Sequence, residues 1–513
     1  MRGTGRGRGD APPIRLVAGL VSIVLAVAAC AAAAPSRGPG PGGSPAPAAD
    51  PTTPSPAPLA SGSGAPPSVA AGATIPVVLD SDLDADDLRA LAYVAARPDV
   101  DLLAVTVAGT GIVHCPAGVQ IARAVLARVG RPAVPVACGR STPLAGSAAF
   151  PAEWRARADA AKGLDLGAAP AEPSGPPATA VELLAQAIGG APSPVSLIVL
   201  GPATNVAEAV MAHPDLVDRI GSVTMMGGAL GVPGNVAGAG VADGNRGAEW
   251  NVYADPTAWQ AVLAAGLRPT VVALDATNDV PVTQETFLSI AANRDTAAAR
   301  LVFDLFDADP SLLTSEQSFW DSLAAVTAFD PAVVTTRPAT VRVVLADGDE
   351  LGRLVEDPGG AAVTIATRAD RGAFEARFVA TLNGGVAMRP VPDPAVDLAV
   401  TFDGAACRVA GLPATIPTGF IGLGLDNRTG SGAGAGLLLL ADGVSARDVV
   451  DAATSDPDRI PAMGRIVVGT GADGHASARA VGLATRAGRG LVACIAYEGR
   501  PSLVPAAEVA IGP

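Results

Sequence analysis

Five aspartates stand within eight residues, in the stretch DSDLDADD at positions 80–87. The apolar run at positions 75–79 directly before it predicts a buried strand, and residues 88–94 after it predict the start of a helix. The acids therefore lie on a strand-to-helix turn at the carboxyl end of a strand, where open α/β sheets bind ligands. Adjacent dry carboxylates repel one another, so the cluster needs either water or a hard divalent cation with oxygen ligands. Calcium fits better than zinc, because the stretch contains neither Cys nor His.

Three other interpretations of the acidic stretch fit less well. An EF-hand-like calcium loop starting at Asp80 needs glycine at its sixth position and glutamate at its twelfth, where this chain has Ala85 and Leu91. A phosphatase of the haloacid-dehalogenase type would use Asp80 as its nucleophile, but it also needs a lysine. The only lysine of the chain, Lys162, stands in a stretch of Gly, Ala and Asp. A solvated acidic turn does not explain why the acids follow a fully apolar strand.

Asp82, Asp86 and Asp87, with the strand before them, resemble the signature of the calcium-dependent nucleoside hydrolases, in which the first strand ends in Asp-x-Asp-x-Gly-x-Asp-Asp. Asp84 replaces the usual glycine. Further segments resemble the family in chain order: VTVAG at 105–109, VPVACG at 134–139 with PL at 143–144, LIVLGPATN at 197–205, MMGG at 225–228, AEWNVYADP at 248–256 and WDS at 320–322.

This resemblance implies a fold and a reaction. The fold is α/β, a mostly parallel open sheet flanked by helices, and we expect it to occupy residues 74–385. The reaction is hydrolysis of the N-glycosidic bond of ribonucleosides, giving free base and ribose with a calcium-activated water. The alternative is a non-catalytic nucleoside- or sugar-binding lipoprotein that has kept the calcium site, because Asp84 departs from the family's pattern.

Four positions match the family's calcium ligands. The resemblance implies that Asp82, Asp87 and Asp321 bind Ca²⁺ through carboxylate oxygens, and that the main-chain carbonyl of Leu200 supplies a neutral ligand. Asp82 would also take the proton from the attacking water, because calcium acidifies a bound water only modestly.

Other positions match the family's contacts with the sugar: Asp86, Thr110, Glu249 and Asn251. Asp86 would accept a hydrogen bond from a ribose hydroxyl, while Glu249 and Asn251 would hold the far side of the ring. Either Asn235 or Asn245 could take the remaining asparagine position, because the segment before Glu249 is longer than the family's pattern. Thr110 stands where many members have asparagine, which is a second departure from the pattern.

The residue before the last calcium ligand bears on the leaving base. Members that prefer pyrimidines commonly have histidine there, whereas this chain has Trp320, and its histidines are elsewhere, at His114, His213 and His475. A Trp-Asp string resembles the purine-preferring branch, in which stacking on the base makes a ring nitrogen easier to protonate. Trp154, which we expect in a loop at residues 150–155, is a candidate for the other face of the base. We therefore predict a purine-leaning enzyme with a catalytic role for Trp320.

The N-terminus predicts export. Four arginines precede an apolar run at residues 16–29 that is too short to span a bilayer, which is typical of a signal peptide. The string VAAC ending at Cys30 resembles a bacterial lipobox, so we predict a lipoprotein signal peptide over residues 1–30 with Cys30 as the lipidated residue; cleavage and free secretion are the alternative. Residues 31–73 are almost all Pro, Ala, Gly and Ser, and predict a disordered stalk. We expect a protein held by lipid on the outer face of the bacterial cytoplasmic membrane.

The pattern changes from about residue 395 to short alternating segments separated by Gly, Asn and Asp. It predicts a smaller β-sandwich over residues 395–513, which resembles the cupredoxin-like modules of secreted bacterial proteins. A blue-copper site needs two histidines and a cysteine, and His475 is the only histidine there, so we predict a binding or structural module. In an oxidising compartment the remaining cysteines pair most simply within domains, Cys115 with Cys138 and Cys407 with Cys494.

The net charge of the chain limits the classes of ligand that it can bind. With Lys+Arg 35 against Asp+Glu 49, the net charge is -14, which argues against a nucleic-acid backbone as the ligand. Nucleosides are neutral small molecules and suit an acidic protein. The sequence leaves a homo-oligomer open.

Overall fold

A computed structural model describes residues 74–170, 178–313, 315, 317–497 and 502–512. The predicted signal peptide, Cys30 and the whole of the predicted stalk lie outside these residues. Within the described ranges, every helix is too short or too polar to cross a membrane.

A nine-stranded sheet occupies the centre of the first part of the chain. Its strands are β1 (Ile75–Ser81), β2 (Val100–Val107), β3 (Val136–Cys138), β4 (Val195–Val199), β5 (Ile220–Met226), β6 (Thr270–Val272), β7 (Val334–Val343), β8 (Leu354–Glu356) and β9 (Ala361–Ala369). They lie in the order β3-β2-β1-β4-β5-β6-β9-β7-β8. All neighbouring pairs are parallel except those of β7, which runs antiparallel to β9 and to β8. The predicted α/β fold with a mostly parallel sheet is confirmed.

Helices follow most of these strands. They are α1 (Ala85–Ala96), α2 (Cys115–Arg128), α3 (Ala152–Asp159), α4 (Ala180–Gly190), α5 (Thr204–Ala212), α6 (Trp250–Ala254), α7 (Pro256–Ala264), α8 (Leu274–Thr277), α9 (Gln284–Ala292), α10 (Ala297–Ala308), α11 (Trp320–Phe329) and α12 (Arg371–Leu382). In β1, Val77 and Leu79 contribute to one apolar cluster and Val78 to another. The sheet is therefore covered on both faces, which explains why its central strands are continuous apolar runs.

The strand order reverses beside β1. The chain adds β2 and β3 on one side of β1 and then returns to place β4, β5 and β6 on the other. The crevice at the carboxyl ends of β1 and β4 is thus a topological switch point, the usual ligand site of an open α/β sheet. Asp80, at register with Thr106 of β2 and Val199 of β4, marks this edge.

Residues after 395 form two further sheets. Their strands are β10 (Val396–Phe402), β11 (Cys407–Ala410), β12 (Thr415–Pro417), β13 (Gly419–Asn427), β14 (Ala433–Leu440), β15 (Gly464–Ala472), β16 (Ser477–Ala484), β17 (Gly488–Ala496) and β18 (Ser502–Gly512), with helices α13 (Ala446–Ser455) and α14 (Ile460–Met463) after β14. One sheet has the order β11-β10-β13-β16 and the other β12-β18-β17-β14-β15. Side chains from both sheets share one apolar cluster. The region is β-rich, and its likeness to cupredoxins stays a prediction.

Two disulfides tie distant segments together. Cys115 at the start of α2 joins Cys138 at the end of β3, with Cα atoms 5.6 Å apart. Cys407 joins Cys494 with Cα atoms 5.7 Å apart. This second bond links a strand of the four-stranded sheet to a strand of the five-stranded sheet.

The two parts of the chain contact each other. Leu483 of β16 is buried in the apolar cluster of the first part, and Phe420 and Val481 pack against it. Arg465 of β15 donates to the main-chain carbonyl of Asp307 in α10 at 3.0 Å and also pairs with its carboxylate.

Candidate active site

The acidic stretch forms the turn between β1 and α1. Asp84 is the residue before α1, and its N–H donates to Asp87 Oδ2 at 3.0 Å. Ser81 Oγ donates to Asp87 Oδ1 at 2.6 Å, and the N–H of Asp82 donates to the same oxygen at 3.2 Å. Asp87 therefore orders the turn, at a helix N-terminus whose dipole favours negative charge.

Three carboxylates converge beside this turn. Oxygen atoms of Asp86, Asp87 and Asp321 lie within 4.8 Å of one another. Asp321 comes from the first turn of α11, far away in the sequence. Asp82 adjoins the cluster through Asp87, so the structure brings together the three predicted carboxylate ligands and also Asp86, which the resemblance assigned to the sugar.

Asp82 is buried directly after the end of β1. Its Oδ2 accepts from the N–H of Ile112 at 2.9 Å, and its main-chain carbonyl accepts from Val113 at 3.2 Å. The loop between β2 and α2 thus wraps around it. Gly111 of this loop has no room for a side chain, because a Cβ there would lie 2.1 Å from the Cβ of Asp82.

Burial and mutual repulsion disfavour the ionised form of the clustered carboxylates. It raises the pKa of Asp82 well above its usual range, and the charge of Asp87 raises it further. Burial and then Asp86 do the same to the pKa of Asp321. Burial raises the pKa of Asp87 to about 7, with Asp86 as the next cause. Carboxylates in this situation are either protonated or neutralised by a cation.

Asp80 lies deeper than the predicted ligands. Its Oδ1 accepts from Thr106 Oγ1 at 2.6 Å and from Asn205 Nδ2 at 2.8 Å, while its buried Oδ2 has no partner among the described residues. Burial raises its pKa to about 7. Asp80 therefore ties β1 to β2 and α5.

The predicted carbonyl ligand adjoins a predicted sugar residue. The carbonyl of Leu200 accepts from Asn251 Nδ2 at 2.9 Å. A carbonyl oxygen has a second lone pair, so this contact leaves Leu200 able to bind a cation. The same Nδ2 is 3.3 Å from the carbonyl of Met226, which fixes the amide so that donors face the protein.

Glu249 caps helix α6. Its carboxylate accepts from the N–H groups of Asn251 at 3.0 Å, Gly228 at 3.0 Å and Val252 at 3.3 Å. Burial raises its pKa to about 7, against the effect of these hydrogen bonds. Glu249 thus sets the start of α6 and the position of Asn251.

The structure distinguishes Asn235 from Asn245. Asn245 is buried, donates to the carbonyl of Leu351 at 2.7 Å and accepts from Ala248 N–H at 3.0 Å, so its amide ties this loop to the distant segment of Leu351. Asn235 is only partly buried, and its Oδ1 accepts from Trp250 N–H at 3.2 Å. Its amide nitrogen has no partner in the described part of the chain.

Thr110 is buried and its hydroxyl is engaged. Its Oγ1 is 2.8 Å from Thr204 Oγ1, which in turn donates to Asp255 Oδ2 at 2.8 Å. The residue that replaces the family's asparagine therefore belongs to a hydrogen-bonded chain that includes α5 and α7.

The two tryptophans predicted at the base are both partly buried. Trp320 begins α11, directly before Asp321. Trp154 packs on Trp250 with ring centroids 5.4 Å apart, and Trp250 stacks on Phe150 at 4.8 Å. The expected loop around Trp154 is wrong, because the sequence AEWRARAD after Pro151 forms α3; Ala, Glu and Arg are strong helix formers.

Sequence reasoning missed two cations near the acidic turn. Arg155 of α3 donates to the carbonyls of Gly109 at 3.0 Å and Ile112 at 3.3 Å, in the loop that wraps Asp82. Lys162 Nζ lies 2.9 Å from Asp84 Oδ1. Neither contact has a local sequence signal, since both join segments that are distant along the chain.

A third missed cation is Arg89, in the second turn of α1. It is fully buried, and the charges of Asp86 and Asp321 act on it. A signal was present in the sequence, because Arg89 is the one charged residue in the otherwise apolar stretch LRALAYVA at residues 88–95.

The donor set suits a hard cation. The three converging groups are all carboxylates, and oxygen ligands are the preference of Ca²⁺ and Mg²⁺ and not of zinc. The residues whose ligand atoms the structure groups this closely are Asp86, Asp87 and Asp321. Asp82 and the carbonyl of Leu200 stay predicted ligands.

Comparisons with known proteins agree with this geometry. The model of a family described as inosine-uridine preferring nucleoside hydrolase matches residues 77–376. The pyrimidine-specific ribonucleoside hydrolase RihA of Shewanella oneidensis is 35% identical over 235 residues, which are 46% of this chain and 69% of that relative.

Solved structures share the fold of the first part. An inosine-uridine preferring nucleoside hydrolase from Bacillus anthracis superposes with a TM-score of 0.54 at 22% identity, covering 61% of this chain and 100% of that one. A purine-preferring ribonucleoside hydrolase from Gardnerella vaginalis superposes with a TM-score of 0.51 at 25% identity, covering 60% of this chain and 98% of that one.

Proposed function

The chain belongs to the inosine-uridine preferring nucleoside hydrolase family, whose members hydrolyse N-glycosyl bonds of ribonucleosides, and on that premise we propose that it is a calcium-dependent, purine-leaning nucleoside hydrolase. The observation that carries the proposal is the convergence of Asp86, Asp87 and Asp321 within 4.8 Å, beside Asp82, at the switch point of the sheet. Family members depend on a metal ion. Ca²⁺ specifically is our proposal, from the all-oxygen donor set.

Asp82, Asp87, Asp321 and the carbonyl of Leu200 are the proposed ligands. A bound Ca²⁺ supplies the charge that these carboxylates lack and makes a water molecule more acidic. We assign Asp82 as the general base. One of its oxygens is fixed by the N–H of Ile112 at 2.9 Å, which orients the other oxygen to take a proton.

The sugar contacts follow from which polar atoms the protein leaves free. Asn251 directs its amide nitrogen at main-chain carbonyls, so its oxygen is available to a ribose hydroxyl. Asn235 is the better candidate for the second asparagine, because the amide of Asn245 is already engaged: it donates to the carbonyl of Leu351 and accepts from the N–H of Ala248. Among the residues that the structure describes, Glu249 Oε1 accepts only from Asn251 N–H and keeps acceptor capacity, while Asp86 completes the set.

The preference for purines rests on Trp320. An indole that stacks on the departing base would favour its protonated form, and no histidine stands at this position. The names of the relatives do not agree on the preferred base, since RihA is pyrimidine-specific and the protein from Gardnerella vaginalis is purine-preferring. Trp154 is the proposed partner on the other face of the base.

Base release from a panel of nucleosides tests this function. The purified protein is stripped of metal and incubated with inosine, guanosine, adenosine, uridine and cytidine, with and without added Ca²⁺. We expect Ca²⁺-dependent release, faster for the purine nucleosides, and a loss of about 100-fold or more in Asp82→Asn. Faster release from uridine and cytidine would contradict the purine preference. Binding of nucleosides without release by the calcium-loaded protein would favour the non-catalytic alternative.

We also propose that the protein is exported and lipid-anchored through Cys30. The support is the order of arginines, apolar run and VAAC string in the first 30 residues. Cys30→Ala should leave the protein unprocessed or released, which fractionation and mass spectrometry of the N-terminus would show. A mature Cys30→Ala protein still tightly bound to membranes would contradict the lipid anchor.

A further inference from the structure

Arg89 is a cation buried without a hydrogen-bond partner. Its side chain is fully inaccessible, and Nε, Nη1 and Nη2 all lack a partner among the residues that the structure describes. Burying a charged guanidinium away from water costs free energy unless other charges compensate for the lost hydration. The fold must therefore provide the compensation from further away.

Two aromatic rings supply part of it. The guanidinium carbon lies 5.2 Å from the ring centroid of Phe306 in α10 and 5.2 Å from that of Phe319, two residues before Asp321. Cation–π contacts of this kind contribute a modest stabilisation. They also fix the guanidinium between α10 and α11, the helix that supplies Asp321.

The acidic cluster supplies the rest. The carboxylates whose charge acts on Arg89 are, in order of effect, Asp86, Asp321, Asp84 and Asp87. None of them forms a direct ion pair with Arg89 in the described part of the chain. The guanidinium therefore acts on the cluster without occupying a carboxylate oxygen in a direct ion pair, which leaves those oxygens free to bind a cation.

We propose that Arg89 is a built-in counter-charge of the metal site, which stabilises the carboxylate cluster when the ion is absent and lowers its affinity for Ca²⁺. A fixed positive charge that attracts these acids also repels a divalent ion bound by them. Lys162 does not do this, because it pairs at 2.9 Å with Asp84, outside the three converging carboxylates. The inference rests on the proposed calcium site.

Titration of Ca²⁺ into metal-free variants tests the proposal. Two neutral variants of different shape, Arg89→Met and Arg89→Gln, separate the loss of charge from the change in packing. Both should bind Ca²⁺ at least about tenfold more tightly than wild type, because a like charge has been removed. Both should also show a larger gap between the melting temperatures of the calcium-loaded and metal-free protein. Arg89→Lys keeps the charge and should stay close to wild type in Kd.

Arg97→Met is the matched control. Arg97 lies at the other end of α1, also over aromatic rings, with its guanidinium 4.3 Å from the ring centroid of Phe329, but it pairs with Asp99 at 2.6 Å. Its replacement should lower the melting temperature of both forms equally and leave the Kd for Ca²⁺ unchanged.

Three results would overturn the role of Arg89. The proposal is contradicted if the neutral variants bind Ca²⁺ with a Kd within twofold of wild type, or bind it more weakly than wild type. Neutral variants that fail to fold even at saturating Ca²⁺ also contradict it, because removing a cation from the loaded site should relieve repulsion. A wild-type protein that binds no Ca²⁺ refutes the metal site and this inference together, whereas wild-type binding with an unchanged Kd in both neutral variants refutes the inference alone.

Discussion

Asp84 occupies the position at which the family's pattern has glycine, and its neighbours explain how the turn accommodates a fifth acid. Its carboxylate pairs with Lys162, whose φ of 53° places it in the left-handed region. A non-glycine residue in this region carries some strain. This ion pair holds the carboxylate of Asp84 against the turn that follows α3. An aspartate in place of glycine therefore leaves Asp82, Asp86 and Asp87 in position.

Trp320 permits a direct test of how the base leaves. Trp320→Ala should lower kcat for inosine or guanosine by about 100-fold and raise KM much less, because the contact strengthens in the transition state. Steady-state kinetics of base release measure this. The control is p-nitrophenyl riboside, whose good leaving group needs no such help and whose hydrolysis should change little. Equal losses on both substrates would mean that Trp320 only shapes the pocket.

The raised pKa values predict how the metal-free protein responds to pH. Burial raises the pKa of Asp80 and of Glu249 to about 7, so the folded state holds protons that the unfolded chain has already lost. The free energy of unfolding should therefore fall as pH rises from about 4 to about 7 and then level off. Urea unfolding of metal-stripped protein at pH 5, 6, 7 and 8 measures this.

Glu249→Gln provides the control for that pH dependence. A glutamine does not titrate, so the variant should show a shallower fall than wild type over the same range. Saturating Ca²⁺ should also make the fall shallower, because the ion favours ionised carboxylates. A metal-free wild type that becomes more stable between pH 5 and pH 8 would contradict the sign.

At the scale of elements, the site is assembled by one turn and one loop. The β1–α1 turn carries the acids, and the loop between β2 and α2 packs against Asp82 so tightly that Gly111 admits no side chain. The loop is held in turn by Arg155 from α3. The position of Asp82, the proposed general base, therefore depends on segments that contribute none of the clustered carboxylates.

Gly111→Ala tests this dependence. The new Cβ would lie 2.3 Å from Asp82 Oδ2, so Asp82 or the loop must move. Displacement of a catalytic group by about 1 Å can cost about 100-fold, and we expect a loss of that order in kcat/KM together with weaker Ca²⁺ binding. Gly190→Ala is the control, because no atom lies within 4 Å of a Cβ there. Full activity of Gly111→Ala would show that the loop is not tightly coupled to Asp82.

At the scale of the whole molecule, α10 connects three regions. Asp307 pairs with Arg465 of the C-terminal β-rich part, Phe306 contacts Arg89, and Asp309 at the helix end pairs with Arg157 of α3 at 2.8 Å. The β-rich part is thus docked on the helix that also supports the acidic site.

Arg465→Ala should weaken this docking. Arg465 is only 11% exposed, and its loss leaves the Asp307 carboxylate and carbonyl without their donor, which typically costs about 1–3 kcal/mol. The free energy of unfolding and the rate of proteolysis between the two parts would register the change. Arg479→Ala is the control, because its pair with Asp397 is about half exposed on both sides and should contribute less than about 1 kcal/mol. Equal effects of the two variants would contradict a special role for Arg465.

The sequence by itself determined the parts of this protein that depend on local patterns. The apolar run before Asp80 and the helical pattern after it placed the acids on a strand-to-helix turn, and the structure has β1 and α1 there. The resemblance of the acidic turn and the later motifs to the nucleoside hydrolases implied the α/β fold, and the structure has the mostly parallel sheet.

The tertiary structure decided what depends on contacts between distant segments. It brought Asp321 to Asp86 and Asp87 and engaged the amide of Asn245 with the distant Leu351. It also buried Arg89 against the ring of Phe319, two residues before Asp321. Hydrogen-bond partners, burial and the field of several charges are properties of packed neighbours in space. A linear pattern can name the polar residues, but only packing determines which of their atoms remain free to bind a metal ion or a sugar.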